Sequence, residues 1–195
     1  MKFTTRDICQ MSIFVAASAV LAQIVFPLPF SPVPISLGML GAYASGIFLR
    51  PRCAFFAQVC YLLIGSAGLP VFHQFHGGVG VIAGPTGGYL LAYPIMALIV
   101  STAVERGERV SPHKPAARSP RYSALIFASL SLATLVCYTL GTWRMMQVTN
   151  LPLAPVLSLA VYPFIPLDLL KITFSTFALL PLRGRVRGAA AALGE

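Results

Sequence analysis

The chain has 195 residues, of which 57% are hydrophobic and 10% charged, and its formal net charge is +9. Ordinary soluble domains carry about 25% charged residues, so this composition excludes a soluble globular domain and describes an integral membrane protein. The positive charge does not indicate nucleic acid, because the Lys and Arg residues lie between apolar runs rather than on one face with base-stacking aromatics.

In chain order, apolar runs cover about residues 8–26, 35–49, 53–69, 87–104, 122–141 and 156–182, each bounded by Pro, Gly or basic residues. They predict an all-α fold of six transmembrane helices in a single membrane domain spanning 1–195. The first run follows Lys2 and Arg6 and contains Ala17-Ser18-Ala19, the pattern of a signal-peptide cleavage site. It continues unbroken to Phe26, a length that suits a retained helix. The second run is short for a span. Small residues at spacing four, Gly38, Ala42 and Gly46 in the second run and Ser12, Ala16 and Ser18, Ala22 in the first, allow close helix approach in lipid. The second set is read as internal packing; the first suits either internal packing or docking to another membrane subunit.

Basic residues fix the orientation. Lys2, Arg6, Arg50, Arg52, Arg106, Arg109, Lys114, Arg118, Arg121, Arg183, Arg185 and Arg187 fall on one side of a six-helix path, and only Arg144 falls on the other. Cytoplasmic loops carry the excess of Lys and Arg, so both termini are expected in the cytoplasm. The external connections are then Pro27–Pro34, Pro70–Thr86 and Thr142–Pro155. Four prolines hold the first extended. The second, with Phe72, Phe75 and several glycines, is too apolar for a solvated loop and is expected to fold over the helix ends as a lid.

Within the last run, Asp168 and Lys171 are the only acid and base. A charge at a membrane helix centre costs roughly 2.5–3.5 kcal/mol on insertion scales. Three residues apart on a helix, the two share one face, where they partly neutralise each other and still present an acceptor and donors to a polar guest. The competing reading is an ion pair that only locks helices together. Gly84-Pro85-Thr86-Gly87-Gly88-Tyr89 is the other distinctive stretch. Its glycines permit close backbone approach, and the helix that follows offers free N–H groups, although a plain lid-to-helix turn is an equal reading. His73 and His76 suggest a metal, yet two histidines without an acidic or cysteine ligand fall short of a zinc set. Ile64-Gly65-Ser66-Ala67-Gly68 is not a nucleophile elbow, and the core offers no separate base, so no catalytic residue is assigned and no enzyme is expected. The four cysteines form no CxxC or Cys/His pattern and read as reduced core residues. With no nucleotide-binding motif, active transport would need partner subunits.

Pro27-Leu28-Pro29-Phe30-Ser31-Pro32-Val33-Pro34-Ile35, Gly68-Leu69-Pro70-Val71-Phe72, Gly84-Pro85-Thr86-Gly87-Gly88-Tyr89 and Pro163-Phe164-Ile165-Pro166-Leu167-Asp168-Leu169-Leu170-Lys171 occur in that order. Together they resemble the BioY family, the biotin-binding S components of energy-coupling factor (ECF) transporters, over roughly residues 8–182. The resemblance implies a six-helix subunit of a bacterial or archaeal cytoplasmic membrane that captures biotin from outside. It also implies association with a transmembrane T component and two cytoplasmic ATPases, so that ATP acts only through partners and no cofactor is bound covalently. The implied ligand residues are Asp168, Lys171, Tyr89, Gln74, Phe72, Phe75, Thr86, Gly87 and Gly88. Ser12, Ala16, Ser18 and Ala22 are the implied T-component face. Leu167 stands where the family pattern has Gly, so the turn before Asp168 is expected to be plainly helical or slightly shifted. Another vitamin, or a membrane-embedded metalloenzyme using His73 and His76, are the alternative functions.

Overall fold

The computed structural model describes residues 3–26, 35–110 and 120–184. Helix α1 (Thr5–Gln23) opens on a capping box: Asp7 N donates to Thr4 Oγ1 at 3.2 Å, and Thr4 N donates to Asp7 Oδ2 at 3.0 Å. This pairing satisfies two of the free N–H groups that every helix start leaves. After α1 the chain becomes extended. Strand β1 (Val25–Phe26) pairs antiparallel with β2 (Ile35–Ser36), with Val25 opposite Ser36. The described residues are therefore helical with one small ladder, which an all-α expectation omits; the expected extended run Pro27–Pro34 lies outside the described residues.

Helix α2 (Gly38–Phe48) is the hub, with eight of its eleven residues buried among its neighbours. It can sit there because its faces are small. A Cβ on Gly41 would lie 2.4 Å from Ser18 Oγ of α1, and the space beside Gly46 is filled by Val100. Helix α3 (Pro51–Ser66) starts with Pro at its first turn, where the missing N–H has no partner to lose. Its Gln58 is fully buried and donates to Ser18 Oγ and Ser45 Oγ, each at 3.0 Å, which ties α1, α2 and α3 through one amide.

A short helix α4 (Val79–Ala83) leads into α5 (Gly87–Val110), which lies against α6 (Pro120–Thr149). Glycines let the two backbones approach: beside Gly88 stand Leu140 O and Arg144, beside Gly107 the Tyr122 ring, and beside Gly141 the Tyr89 ring. At 30 residues α6 runs about 45 Å, beyond a hydrocarbon core of about 30 Å. Trp143, 59% exposed near its end, is placed as interfacial tryptophans are.

The last apolar run is not one helix. It forms α7 (Leu153–Ala160) and α8 (Ile165–Phe174), the latter continuing through a π turn at Ser175–Leu179 to Gly184. The expected helix 156–182 breaks at Val161–Phe164 because Pro163 and Pro166 have no N–H to carry a helical ladder across that stretch. Pro166 instead sits in the first turn of α8, and Leu167 is helical as its side chain demands.

Among the described residues four helices, Thr5–Gln23, Gly87–Arg109, Pro120–Thr149 and Ile165–Gly184, are long and apolar enough to cross a membrane; α2 and α3 are shorter. The protein is a multi-pass membrane protein. Its two ends differ chemically. At one, the Arg183 guanidinium donates to both Glu108 carboxylate oxygens at 2.8 and 3.1 Å and to Ile47 O, joining the ends of α8, α5 and α2. Arg50, Glu105 and Arg109 line a shallow cleft beside it.

Candidate functional site

The other end holds the acid–base pair. Asp168 occupies the first turn of α8, where the helix dipole favours an anion, and Lys171 follows one turn later. Lys171 Nζ donates to Asp168 Oδ1 at 2.8 Å, with side chains only 8% and 4% exposed. Two partners come from elsewhere in the chain. Tyr138 Oη of α6 donates to Asp168 Oδ2 at 2.5 Å, and Lys171 Nζ donates to Ser36 O of β2 at 3.0 Å. Each carboxylate oxygen thus has one internal donor and keeps a lone pair, and the ammonium keeps one N–H.

This pair forms part of the wall of a cleft of about 650 Å³, counted out to its mouth. Its wall is otherwise aromatic and small: Tyr61, Tyr89, Tyr93, Phe164, Met39 and Ala160 line it, with Thr86 and His73 adding polar groups. Tyr61 and Tyr93 stack with ring centroids 6.4 Å apart. Most phenols on the wall have their own acceptor: Tyr61 Oη donates to Val71 O at 3.1 Å, and Tyr89 Oη to Ala160 O at 3.3 Å. The arrangement offers flat apolar surfaces with one ionic patch, which suits a compact ring system bearing amide-like groups.

Sequence reasoning and structure part company at the lid. Phe72 is completely buried, edge-on to Tyr61 at 5.5 Å, with its ring filling the space where a side chain on Gly65 would stand. It anchors the lid to α3 and does not line the cleft. Gln74 and Phe75 both have positive φ, 55° and 57°, which turns the chain outward; Gln74 is exposed and Phe75 is 71% exposed. Neither lines the cleft. His73, between them and Phe72, does. Burial, and next the neighbouring His76 ring 5.6 Å away, hold the His73 imidazole below its ordinary pKa. Among the described residues no third His, Cys, Asp or Glu joins the two histidines as a metal set.

Tyr89 and Thr86 line the cleft, but Gly87 and Gly88 serve packing: the first abuts Ile82 O of α4 and the second the α6 backbone. On α1, Ser18 and Ala22 are buried toward α2, and Ala22 lines the cleft, so these two offer no face to another protein; Ser12 and Ala16 are exposed. The residues missed from sequence are Tyr138, Ser36, Tyr61, Tyr93 and Phe164. One signal was available: Tyr89 and Tyr93 stand four apart on one helix and share a face. Tyr138, thirty residues before Asp168, gave none.

A family model described as the BioY family matches residues 1–188. A protein of Bacillus subtilis named a probable biotin transporter BioY is 34% identical over 175 residues, covering 88% of this chain and 87% of its own. The biotin transporter BioY of Thermotoga maritima is 30% identical over 178 residues, covering 91% and 96%. Among solved structures, the S-component for biotin from an ECF-type ABC transporter superposes with a TM-score of 0.79 at 21% identity, covering 96% of this chain and 95% of that one. At that identity the likeness concerns the fold.

Proposed function

The chain belongs to the BioY family, and from that premise we propose that it captures biotin in the aromatic cleft and serves as the substrate-binding subunit of an ECF-type transporter. The observation that carries this reading is the buried Asp168–Lys171 pair at the cleft wall, with an acceptor site and a donor left over. Biotin's ureido group has two N–H donors and a carbonyl; its thiophane ring and valeryl chain are apolar. Asp168 accepts a ureido N–H and Lys171 donates to the ureido carbonyl, while Tyr89, Tyr93 and Phe164 enclose the rings. Lys171 on the carboxylate is the competing placement.

Titrating biotin and biotin amide into parent and Lys171→Ala protein distinguishes the two. Equal loss for both ligands supports the ureido role, and loss confined to the acid overturns it. If purified parent protein binds thiamine or riboflavin and not biotin, the substrate reading itself fails.

In this reading the bundle crosses the membrane six times, through α1, α2, α3, α5, α6 and α8, with both termini cytoplasmic. Supporting it, the ends of α2, α5 and α8 meet at Arg183, and the basic connections belong to that end, whereas the cleft opens at the other. Transport then needs a transmembrane T component and two cytoplasmic ATPases, with the exposed Ser12 and Ala16 of α1 as the T-component face. Replacing both by Leu should abolish copurification with those partners and leave biotin binding intact; unchanged copurification would refute that face.

A further inference from the structure

Resting on the biotin reading, we propose that His73 is a ligand-contacting residue of the lid, whose imidazole makes a hydrogen bond to the captured molecule. Three observations converge on it. His73 lines the same cleft as Asp168 and Lys171. Both its ring nitrogens are shielded from solvent, and neither has a hydrogen-bond partner among the described residues. The other polar groups of the wall are mostly committed, since Tyr61, Tyr89 and Tyr138 donate to Val71 O, Ala160 O and Asp168. Buried polar groups are nearly always paired, so a ring on a ligand cleft with neither nitrogen partnered among the described residues marks a contact that the ligand completes as the ring turns toward it.

The backbone around His73 is held for the purpose. Gln23 of α1 grips it from both sides: Nε2 donates to Phe72 O at 3.0 Å, and Oε1 accepts from Phe75 N at 2.8 Å. Phe72 is seated against Gly65 and Tyr61, and His76 N donates to His73 O at 3.2 Å. The backbone between these clamps has little freedom, so binding has to order little more than the imidazole itself. A neutral imidazole has one donor and one acceptor nitrogen. It therefore suits a ureido or carboxyl group without adding a charge beside the neutralised Asp168–Lys171 pair.

The test uses the purified protein in detergent, with His73→Phe to keep the ring and remove the nitrogens, and His73→Gln to keep hydrogen bonding. His73→Phe should weaken biotin about tenfold, the weight of one hydrogen bond, and His73→Gln should stay within about threefold of the parent. The unfolding midpoint of each ligand-free variant serves as a control for folding. On the parent protein, saturating biotin should shift the isotope-labelled ring-nitrogen resonances of His73. Loss shared by biotin and biotin amide places His73 at the ring end; loss confined to the acid places it at the carboxylate. A folded His73→Phe variant that binds both ligands as the parent does, or unmoved His73 resonances at saturation, overturns the assignment while leaving biotin capture standing. A parent that does not bind biotin sinks both.

Discussion

Replacing Lys171 with Met removes the cation and keeps most of the side-chain volume. In the parent, Nζ donates to Asp168 Oδ1 at 2.8 Å and to Ser36 O at 3.0 Å. The variant leaves a buried carboxylate with Tyr138 as its remaining internal donor, and it leaves Ser36 O without this donor. A hydrogen bond between charged groups contributes about 1.5–3 kcal/mol, and a stranded buried carbonyl costs about 1–3 kcal/mol. Their midpoints add to about 4 kcal/mol, inside the range of about 3–5 kcal/mol for breaking a buried ion pair from one side. At roughly 2–4 °C per kcal/mol for a chain of this size, the unfolding midpoint of ligand-free protein in detergent should fall by about 8–16 °C. The double variant Asp168→Asn/Lys171→Met removes the stranded charge and leaves Tyr138 an amide oxygen to bond. It should recover more than half of that loss and still bind no biotin. A Lys171→Met midpoint within about 2 °C of the parent would refute the reasoning, because a well-buried pair cannot lose one member so cheaply.

Tyr138→Phe deletes the 2.5 Å bond to Asp168 that the ligand-free protein already makes; loss of a charge-assisted bond of about 1.5–3 kcal/mol should lower the ligand-free unfolding midpoint by about 3–12 °C, measured by thermal unfolding in detergent. Gly65→Ala drives a methyl into the Phe72 ring, 2.2 Å from Cζ. It should cost about 1–3 kcal/mol of stability and loosen the lid, seen as faster proteolysis between α3 and α5. The lowered pKa of His73 makes stability fall as pH drops below its ordinary value of about 6.5, because there the unfolded chain binds a proton that the folded one refuses. The fall should end once the folded pKa is passed, and His73→Gln should flatten it; identical acid limbs for the two proteins would count against a buried neutral ring.

The acid–base pair was legible because helical spacing and an apolar setting fix its geometry before any tertiary contact is known. Its neighbours were not. Tyr138 reaches Asp168, and Ser36 reaches Lys171, across separations of 30 and 135 residues, and no local pattern announces such meetings. The lid misled for a backbone reason. Two non-glycine residues with positive φ, Gln74 and Phe75, reverse the side-chain directions that an extended or helical path would give. The resemblance therefore made Phe72 and Phe75 look like ligand walls, whereas in the fold Phe72 packs against Gly65 and Tyr61 and Phe75 faces outward. The break in the last apolar run was written in Pro163 and Pro166, but hydropathy averaged over the segment conceals it. On α1 the small residues divide between the two readings left open for them: Ser18 and Ala22 turn to α2, and Ser12 and Ala16 look outward.

Trp143 is the chain's single tryptophan, and its position has an optical consequence. It stands on the exposed side of α6 and is absent from the cleft lining, and the adjacent Arg144 donates to Ala83 O at the end of α4. Light emitted after selective indole excitation therefore originates at one known height on the bundle. Quenching by acyl chains brominated at graded positions would read the depth of α6 in a bilayer directly, with no engineered label, whereas occupancy of the cleft must be followed by another signal.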